Sequence, residues 1–568
     1  MKYLGEFKVV SEEVTTEVDT GNLKVGLNNL KDHILKLNGD REVEYIVSKV
    51  CDHAGGKMIL KGENAVCPMH GWELNLNTLI YNDSHVCKET VPFSVDEAGI
   101  VSFNTFKNHF KNPYNNPSKS EGFKYRWLNH ATVYIECNGI SLITDPWLLG
   151  PAFMTGWWLN EPSTQDSIDL LNAADYVFIS HNHPDHLHPE TLALMPKDKP
   201  IIVGDFKSGS TEKYLNALGY EQVIVLNFNA LHELGEDFVI SVLKSGDFRD
   251  DSGLYLSLNG HEVLLTVDCN YLNAHVLPKN IDLLMTSFAG GASGFPICFD
   301  NYTQEEKLQI CARNRLAIKS SVLGYVQACT PNHYMPYAGM FKEKADRDTI
   351  VRELNQKNSV DDYENWLTRN KAKFIRPSKS VEYYFENGIC TEHECSVELL
   401  KDEDPSYYIE KYKEDFKYDA DKIIKYLSSS GYGGNQIIQI IPTDDAFQEV
   451  IRDVVFADFK DKIFKTISPD MVVSEVPGKR VMEIRVRTEI IACIVENMLP
   501  WEDFSIGFQL RIKRSPNTYE SDFWYYFTNI YINSDHFRYS SYCGACTVIN
   551  QNPVFNKLNQ SKENRSND

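Results

Sequence analysis

Apolar and polar residues alternate in short runs over the first 110 positions. Glu44–Val47 and Val91–Val95 are examples, interrupted by Gly and Asn, and this period of two predicts a small all-β domain over residues 1–110. The stretch Lys111–Gly122 is polar and rich in Pro, Asn and Ser, which predicts a linker. From Phe123 the apolar runs recur through Thr132–Cys137, Ser141–Thr144, Tyr176–Ser180, Pro200–Val203, Gln222–Leu226, Phe238–Leu243, Leu254–Leu258, Glu262–Val267 and Asp282–Thr286. Loops, a few helical segments and a helix-like Gln304–Ala317 separate them, predicting an α/β domain over 122–375. Beyond Arg376 an acidic helical stretch, Tyr407–Leu427, is followed by aromatic runs, Ile506–Ile512 and Phe523–Ile532, that read as strands. They predict a C-terminal α+β domain over 376–556, and the polar residues 557–568 predict a disordered tail.

Composition narrows the partners. A formal net charge of −22 argues against a nucleic-acid partner and against anionic membrane surfaces, since both need a basic face. No apolar run is long enough to span a bilayer, and the N-terminus lacks a signal-peptide core, so a cytoplasmic protein is expected. The 13 cysteines are odd in number and scattered, which fits thiols in a reducing compartment and makes the clustered ones candidate ligands.

Two clusters carry chemistry. VCDHAGG supplies Cys51 and His53; VCPMHGW supplies Cys67 and His70. One Cys and one His per loop is the ligand order of a Rieske-type [2Fe-2S] cluster, in which two thiolates hold one iron and two imidazoles the other. A Cys2His2 zinc site is the alternative, although zinc sites usually pair like with like. Downstream, YVFIS runs into His181, His183, Asp185 and His186. A strand that stops at H-x-H-x-D-H is the signature of a metallo-β-lactamase-like αββα domain, where such residues hold two metal ions. Asp268, after the apolar run Val263–Val267, is placed to bridge two cations; Asp247 and His333 are further candidate ligands, and His130 a pocket residue. The mixed His/carboxylate set suits a dinuclear iron site, with zinc as the alternative. Lys479, Arg480, Arg485, Arg487, Arg511, Lys513 and Arg514 form the densest late basic group, a candidate for phosphate capture or a solvated face. The FAGGASGFP loop is a candidate pocket lining, Cys543 and Cys546 form an isolated CxxC, and Cys87 reads as a core thiol. His188, His232, His261 and His275 read as surface or capping residues.

Taken together, VCDHAGG/VCPMHGW, LITDPWLLGPAFMTGWWL, ISHNHPDHL, TVDC, FAGGASGFP, PYAGMF and LPWEDFSIGFQLRIKRSP resemble the CMP-N-acetylneuraminate hydroxylase family. The resemblance implies a monooxygenase with an N-terminal Rieske domain and a metallo-β-lactamase-like domain. It also implies a nucleotide-sugar substrate, O2 as oxidant and an external electron donor, cytochrome b5-like or a ferredoxin-type reductase. The family's third metal histidine falls on Asp247, and His333 has no histidine counterpart, which reads as a relocated ligand or as a different metal or reaction. A metal-dependent hydrolase with an accessory Rieske cluster is the alternative function.

Overall fold

The computed structural model describes residues 1–528 apart from 53–55, 68–71, 83–85, 117, 247–248 and 368–371. The predicted tail, Cys543 and Cys546 therefore lie outside the described residues.

Two eight-stranded sheets form the centre. One runs in the order Lys2–Glu6, Ala230–Gly235, Phe238–Lys244, Ser252–Leu258, His261–Leu265, Leu283–Thr286, His333–Pro336, Lys373–Phe374. The other runs Val223–Leu226, Ile201–Gly204, Tyr176–Phe178, Ile140–Thr144, Thr132–Cys137, Phe123–Asn129, Val381–Glu386, Ile389–Glu394. The alternation in the sequence sorts side chains to the two faces of the second sheet. Val133, Ile135, Leu142, Phe178 and Ile202 join Leu254, Leu256, Val263 and Leu284 in the core between the sheets. Their neighbours Tyr134, Ile143, Val177, Ile179, Ile201 and Val203 pack outward with Leu171 and Leu215 of the helices Gln165–Ala173 and Ser210–Ala217. A one-residue slip would exchange the two sets, and each fully buried side chain of this size contributes about 1.5–3 kcal/mol, so the register is firmly set. The helix Gln304–Cys329 covers the first sheet. Its start is fixed by a capping box between Thr303 and Glu306, and it runs well past the predicted end because Val322, Tyr325, Val326 and Cys329 bury against the core.

The sheets cross the predicted boundaries at both ends. Lys2–Glu6 edges the first sheet, and Val381–Glu394 extends the second through Phe123–Tyr125. The presumed linker is strapped down: Lys119 Nζ lies 2.6 Å from buried Asp282, and a Cβ at Gly260 would come within 2.2 Å of the Asn116 carbonyl.

The N-terminal part pairs Lys8–Asp19 with Ile100–Lys111 along their whole length and adds small antiparallel sheets over Gly26–Ser48 and Ile59–Tyr81. The C-terminal part is a five-stranded sheet, Ile463–Ile467, Val454–Asp458, Gln436–Thr443, Arg480–Arg487, Leu510–Ser515, flanked by helices. The strand expected at 506–512 is kept only from Leu510 onward, within Leu510–Ser515, and the one expected at 523–532 is helical over its described residues. Trp501–Ile506 and Ser521–Thr528 are helices, whose Trp501, Phe504, Phe523 and Phe527 fill one aromatic core. Phe523 and Phe527 stand one helical turn apart, the spacing of a buried helix face. The predicted helical stretch Tyr407–Leu427 is two helices, Pro405–Asp415 and Ala420–Ser429. No helix among the described residues is long and apolar enough to cross a membrane.

Candidate metal centre

The parallel strands of both sheets end on the same side, and the histidine cluster collects there, as ligands do in the crevice beyond the carboxyl ends of such strands. Tyr176–Phe178 leads into Ser180 and the loop of His181–His186; Ile140–Thr144 leads into Asp145; His261–Leu265 leads through Val267 to Asp268. His186 N and Leu187 N both donate to the carbonyl of His183, which folds the loop back on itself. Asp145 (φ 37°) and Val267 (φ 50°) adopt left-handed backbone. For a β-branched valine this costs about 1–3 kcal/mol, held in place by the surrounding core.

The inward atoms are close. His181 Nε2 and His183 Nδ1 are 2.9 Å apart, and His186 Nε2 lies 3.4 Å from both Asp185 Oδ2 and Asp268 Oδ2. His181, His186 and Asp268 form one group able to hold a cation, and His130, Asp185 and His186 a second. Asp185 Oδ1 and His186 Nε2 are buried without a hydrogen-bond partner. Each such orphan costs about 1–3 kcal/mol, and a cation between them removes that cost, so the residues present fit a metal site.

Asp145 organises the cluster from behind. This fully buried carboxylate accepts from Ser180 N at 2.7 Å and Ser180 Oγ at 2.8 Å, and its Oδ2 lies 3.0 Å from His186 Nδ1. His186 Nδ1 therefore carries the proton and Nε2 keeps its lone pair for a metal. Since the Ser180 hydroxyl is spent on Asp145, its oxygen accepts from His181 Nδ1 at 2.9 Å, and His181 Nε2 also faces inward as a lone pair. His130 works the other way. Its Nδ1 accepts from Gly339 N at 3.3 Å, leaving Nε2–H to donate to Asp185 Oδ2 at 3.1 Å, so it orients that carboxylate. In the metal-free cluster, burial pushes His186 down, but Asp185, Asp268 and Asp145 outweigh it and hold the ring protonated well above its usual range. Burial together with His186 and His183 drives His181 well below its usual range.

Among the other expected ligands, Asp247 lies outside the described residues. His333 is not a ligand of this cluster. It opens its strand at the opposite end of the sheet, with Nδ1 3.1 Å from the Asp282 carbonyl and its ring against Phe385. Three further residues escape the sequence reading: Asp145, Ser180 and Glu502, the last contributed by the C-terminal helix Trp501–Ile506. Only the TDPW segment hinted at the first of them. The seven late basic residues are engaged internally. Arg487 bonds Asp348 at 2.8 Å, Arg480 pairs with Glu520 at 2.8 Å, Lys479 pairs with Asp458 and Asp461, and Lys513 lies 3.8 Å from Glu483. Arg485, Arg511 and Arg514 bond Phe447 O, Leu510 O and Asn517 Oδ1. The FAGGASGFP loop packs on the helix Trp501–Ile506, where a Cβ at Gly294 would reach Ser505 Oγ at 2.3 Å. His188 caps a helix from a buried position, His261 is buried rather than on the surface, His275 is half-buried, and Cys87 is exposed.

At the N-terminal cluster, Cys51 and Cys67 are fully buried in one apolar core. Each opens a loop closed at its base in the same way, Cys51 N to Gly56 O at 2.8 Å and Cys67 N to Trp72 O at 2.7 Å. His53 and His70 lie outside the described residues.

Residues 124–286 match the family model of the beta-lactamase superfamily domain, which agrees with the two-sheet architecture. Cytidine monophosphate-N-acetylneuraminic acid hydroxylase of Macaca mulatta is 29% identical over 91% of this chain and 94% of its own length. The proteins of the same name from Mus musculus and Danio rerio are each 28% identical, over 90% of this chain and 94% and 92% of theirs. The chain is similar to these hydroxylases along about nine-tenths of its length and of theirs. Among solved structures, CmlA, a diiron β-hydroxylase from Streptomyces venezuelae, is 15% identical over 48% of this chain and 55% of its own, with a TM-score of 0.31. An isothiocyanate hydrolase from Delia radicum gut bacteria is 13% identical over 46% and 99%, with a TM-score of 0.32.

Proposed function

We propose that the chain hydroxylates the N-acetyl group of CMP-N-acetylneuraminate or a closely related nucleotide sugar. The observation that carries this reading is the match to hydroxylases of that name along nine-tenths of both chains. The reaction inserts one atom of O2 into a C–H bond and reduces the other to water, consuming two electrons and two protons. An external reductase, cytochrome b5-like or ferredoxin-type, supplies the electrons, since the sequence holds no dinucleotide fingerprint. Cys51, His53, Cys67 and His70 would hold a Rieske [2Fe-2S] cluster, which passes electrons singly. The burial of both thiols and the matching closure of their loops support this.

His181, His183, Asp185, His186 and Asp268 would hold the second centre, two irons in this reading, with Asp247 as a further oxygen ligand. Bound there, iron supplies O2 activation. The chain's own contribution is preorganisation. Asp145 and Ser180 hold protons on the outward nitrogens of His186 and His181, and His130 fixes Asp185 by donating to it. The two sheets bury His181, Asp185 and His186, while His183 and Asp268 keep partly exposed side chains on the open side of the cluster. Three units at 1–110, 122–375 and 376–556 would divide the chain, with strands of the two large sheets crossing both boundaries.

The test is to incubate iron-loaded, reduced protein with 18O2 and CMP-N-acetylneuraminate and weigh the product. One added 18O atom supports the reading. Unchanged substrate, or hydrolysis without added oxygen, rejects it.

A further inference from the structure

His181 and His186 each have the nitrogen that faces away from the cluster tied to an oxygen, His181 Nδ1 to Ser180 and His186 Nδ1 to Asp145. His183 presents its other nitrogen inward: Nδ1 faces His181 Nε2, so Nε2 is the outward atom. Among the described residues of the two central sheets, none takes that role for His183. Glu502 does, with Oε1 at 3.7 Å from His183 Nε2. We infer that Glu502 is a positioning residue for the metal centre: its carboxylate, in ion-pair range of His183 Nε2, favours the proton on that nitrogen and so leaves Nδ1 as the lone pair that meets the cation. The inference rests on the reading of the cluster as a metal site.

The helix that carries Glu502 is locked in place from three directions. Trp501 is fully buried and its Nε1 donates to Tyr426 Oη at 2.9 Å. The loop after Pro151 grips the far end: Trp157 Nε1 donates to Ile506 O at 3.0 Å, Gln509 Nε2 donates to Met154 O at 3.0 Å, and a Cβ at Gly156 would fall 2.2 Å from Gly507 O. The FAGGASGFP loop closes on Ser505. Phe153 of the gripping loop also lies against the His183 ring. Beside Glu502, buried Asp503 leaves Oδ1 without a hydrogen-bond partner. A carboxylate on the outer nitrogen of a ligating histidine fixes its tautomer and strengthens it as a ligand, and its loss typically weakens metal binding 10- to 100-fold. The LPWEDF segment thereby gains a role that neither the spacing of the metal motif nor the beta-lactamase match supplies: the C-terminal part completes the first ligand sphere's support.

The experiment uses full-length chain stripped of metal and titrated anaerobically with Co(II), whose visible bands report on histidine ligation. Wild type, Glu502→Ala, Glu502→Gln and the packing control Phe504→Leu are compared. For Glu502→Ala we expect at least tenfold weaker binding of one cobalt ion and a shifted band. We expect partial recovery in Glu502→Gln, which keeps an acceptor oxygen, and a wild-type spectrum in Phe504→Leu despite its lower stability. Glu502→Ala binding and spectra that superimpose on wild type would overturn the inference while leaving the metal site standing. An equal band shift in Phe504→Leu would assign the effect to helix packing and overturn it as well. Failure of wild type to bind cobalt would sink the metal reading and the inference together.

Discussion

Replacing Asp145 with Asn tests the organisation of the centre without removing a single proposed ligand. Asp145 is fully buried and serves three donors, Ser180 N, Ser180 Oγ and His186 Nδ1–H. The amide of Asn keeps one acceptor oxygen and turns two N–H donors towards groups that are themselves donors. At least one buried donor is then unsatisfied, at a cost of about 1–3 kcal/mol. His186 escapes by moving its proton to Nε2, which destroys the lone pair aimed at Asp185 and Asp268. The same change frees the Ser180 hydroxyl and loosens the tautomer of His181. The expected loss of metal affinity is therefore about 10- to 100-fold, equivalent to about 1.4–2.7 kcal/mol. The assay is competitive titration of Fe(II) or Co(II) against a chelator, with denaturant unfolding of the metal-free protein alongside. Lower stability in the metal-free state and weaker binding should appear together. An Asp145→Asn protein with wild-type affinity for both ions would refute the argument that Asp145 sets the histidine tautomers.

Two further predictions use other parts of the structure. His333→Gln should leave metal content at the wild-type level but lower thermal stability, because a buried ring on Phe385 is lost; a fall in bound metal would restore His333 to the site. Gly156→Ala should cost about 1–3 kcal/mol by overpacking, because its Cβ has no room beside Gly507 O, and it should also weaken metal binding by shifting the helix of Glu502; unaltered stability would contradict the docking described here.

The legible part of the molecule was the part whose signals are local. Period-two runs placed Thr132–Cys137, and the strand-to-histidine junction placed His181–His186 at a sheet end, because a strand and the loop after it are contiguous in the chain. Asp268 followed by the same logic. What escaped was set by tertiary contact. Asp145 and Glu502 reach the cluster from segments tens and hundreds of residues away, and a carboxylate that orients a histidine has no spacing rule. His333 read as a candidate for a relocated ligand, yet it opens its strand at the other end of the sheet. The aromatic run at Phe523 suggested a strand by composition, and packing around Trp501 made it a helix instead, whereas the run after Ile506 enters its strand only at Leu510. The basic group read as a candidate phosphate site or a solvated face, and its side chains instead bond neighbouring acids, carbonyls and an asparagine, Arg487 reaching Asp348 outside the C-terminal part.

The most direct test of the whole account is the metal and sulfide content of the anaerobically purified chain, read by elemental analysis and by electron paramagnetic resonance of the reduced protein. The account predicts iron in both centres, about four per chain, with acid-labile sulfide and the signal of a histidine-ligated [2Fe-2S] cluster. Zinc filling the His181–Asp268 site, or iron without that signal, would contradict it.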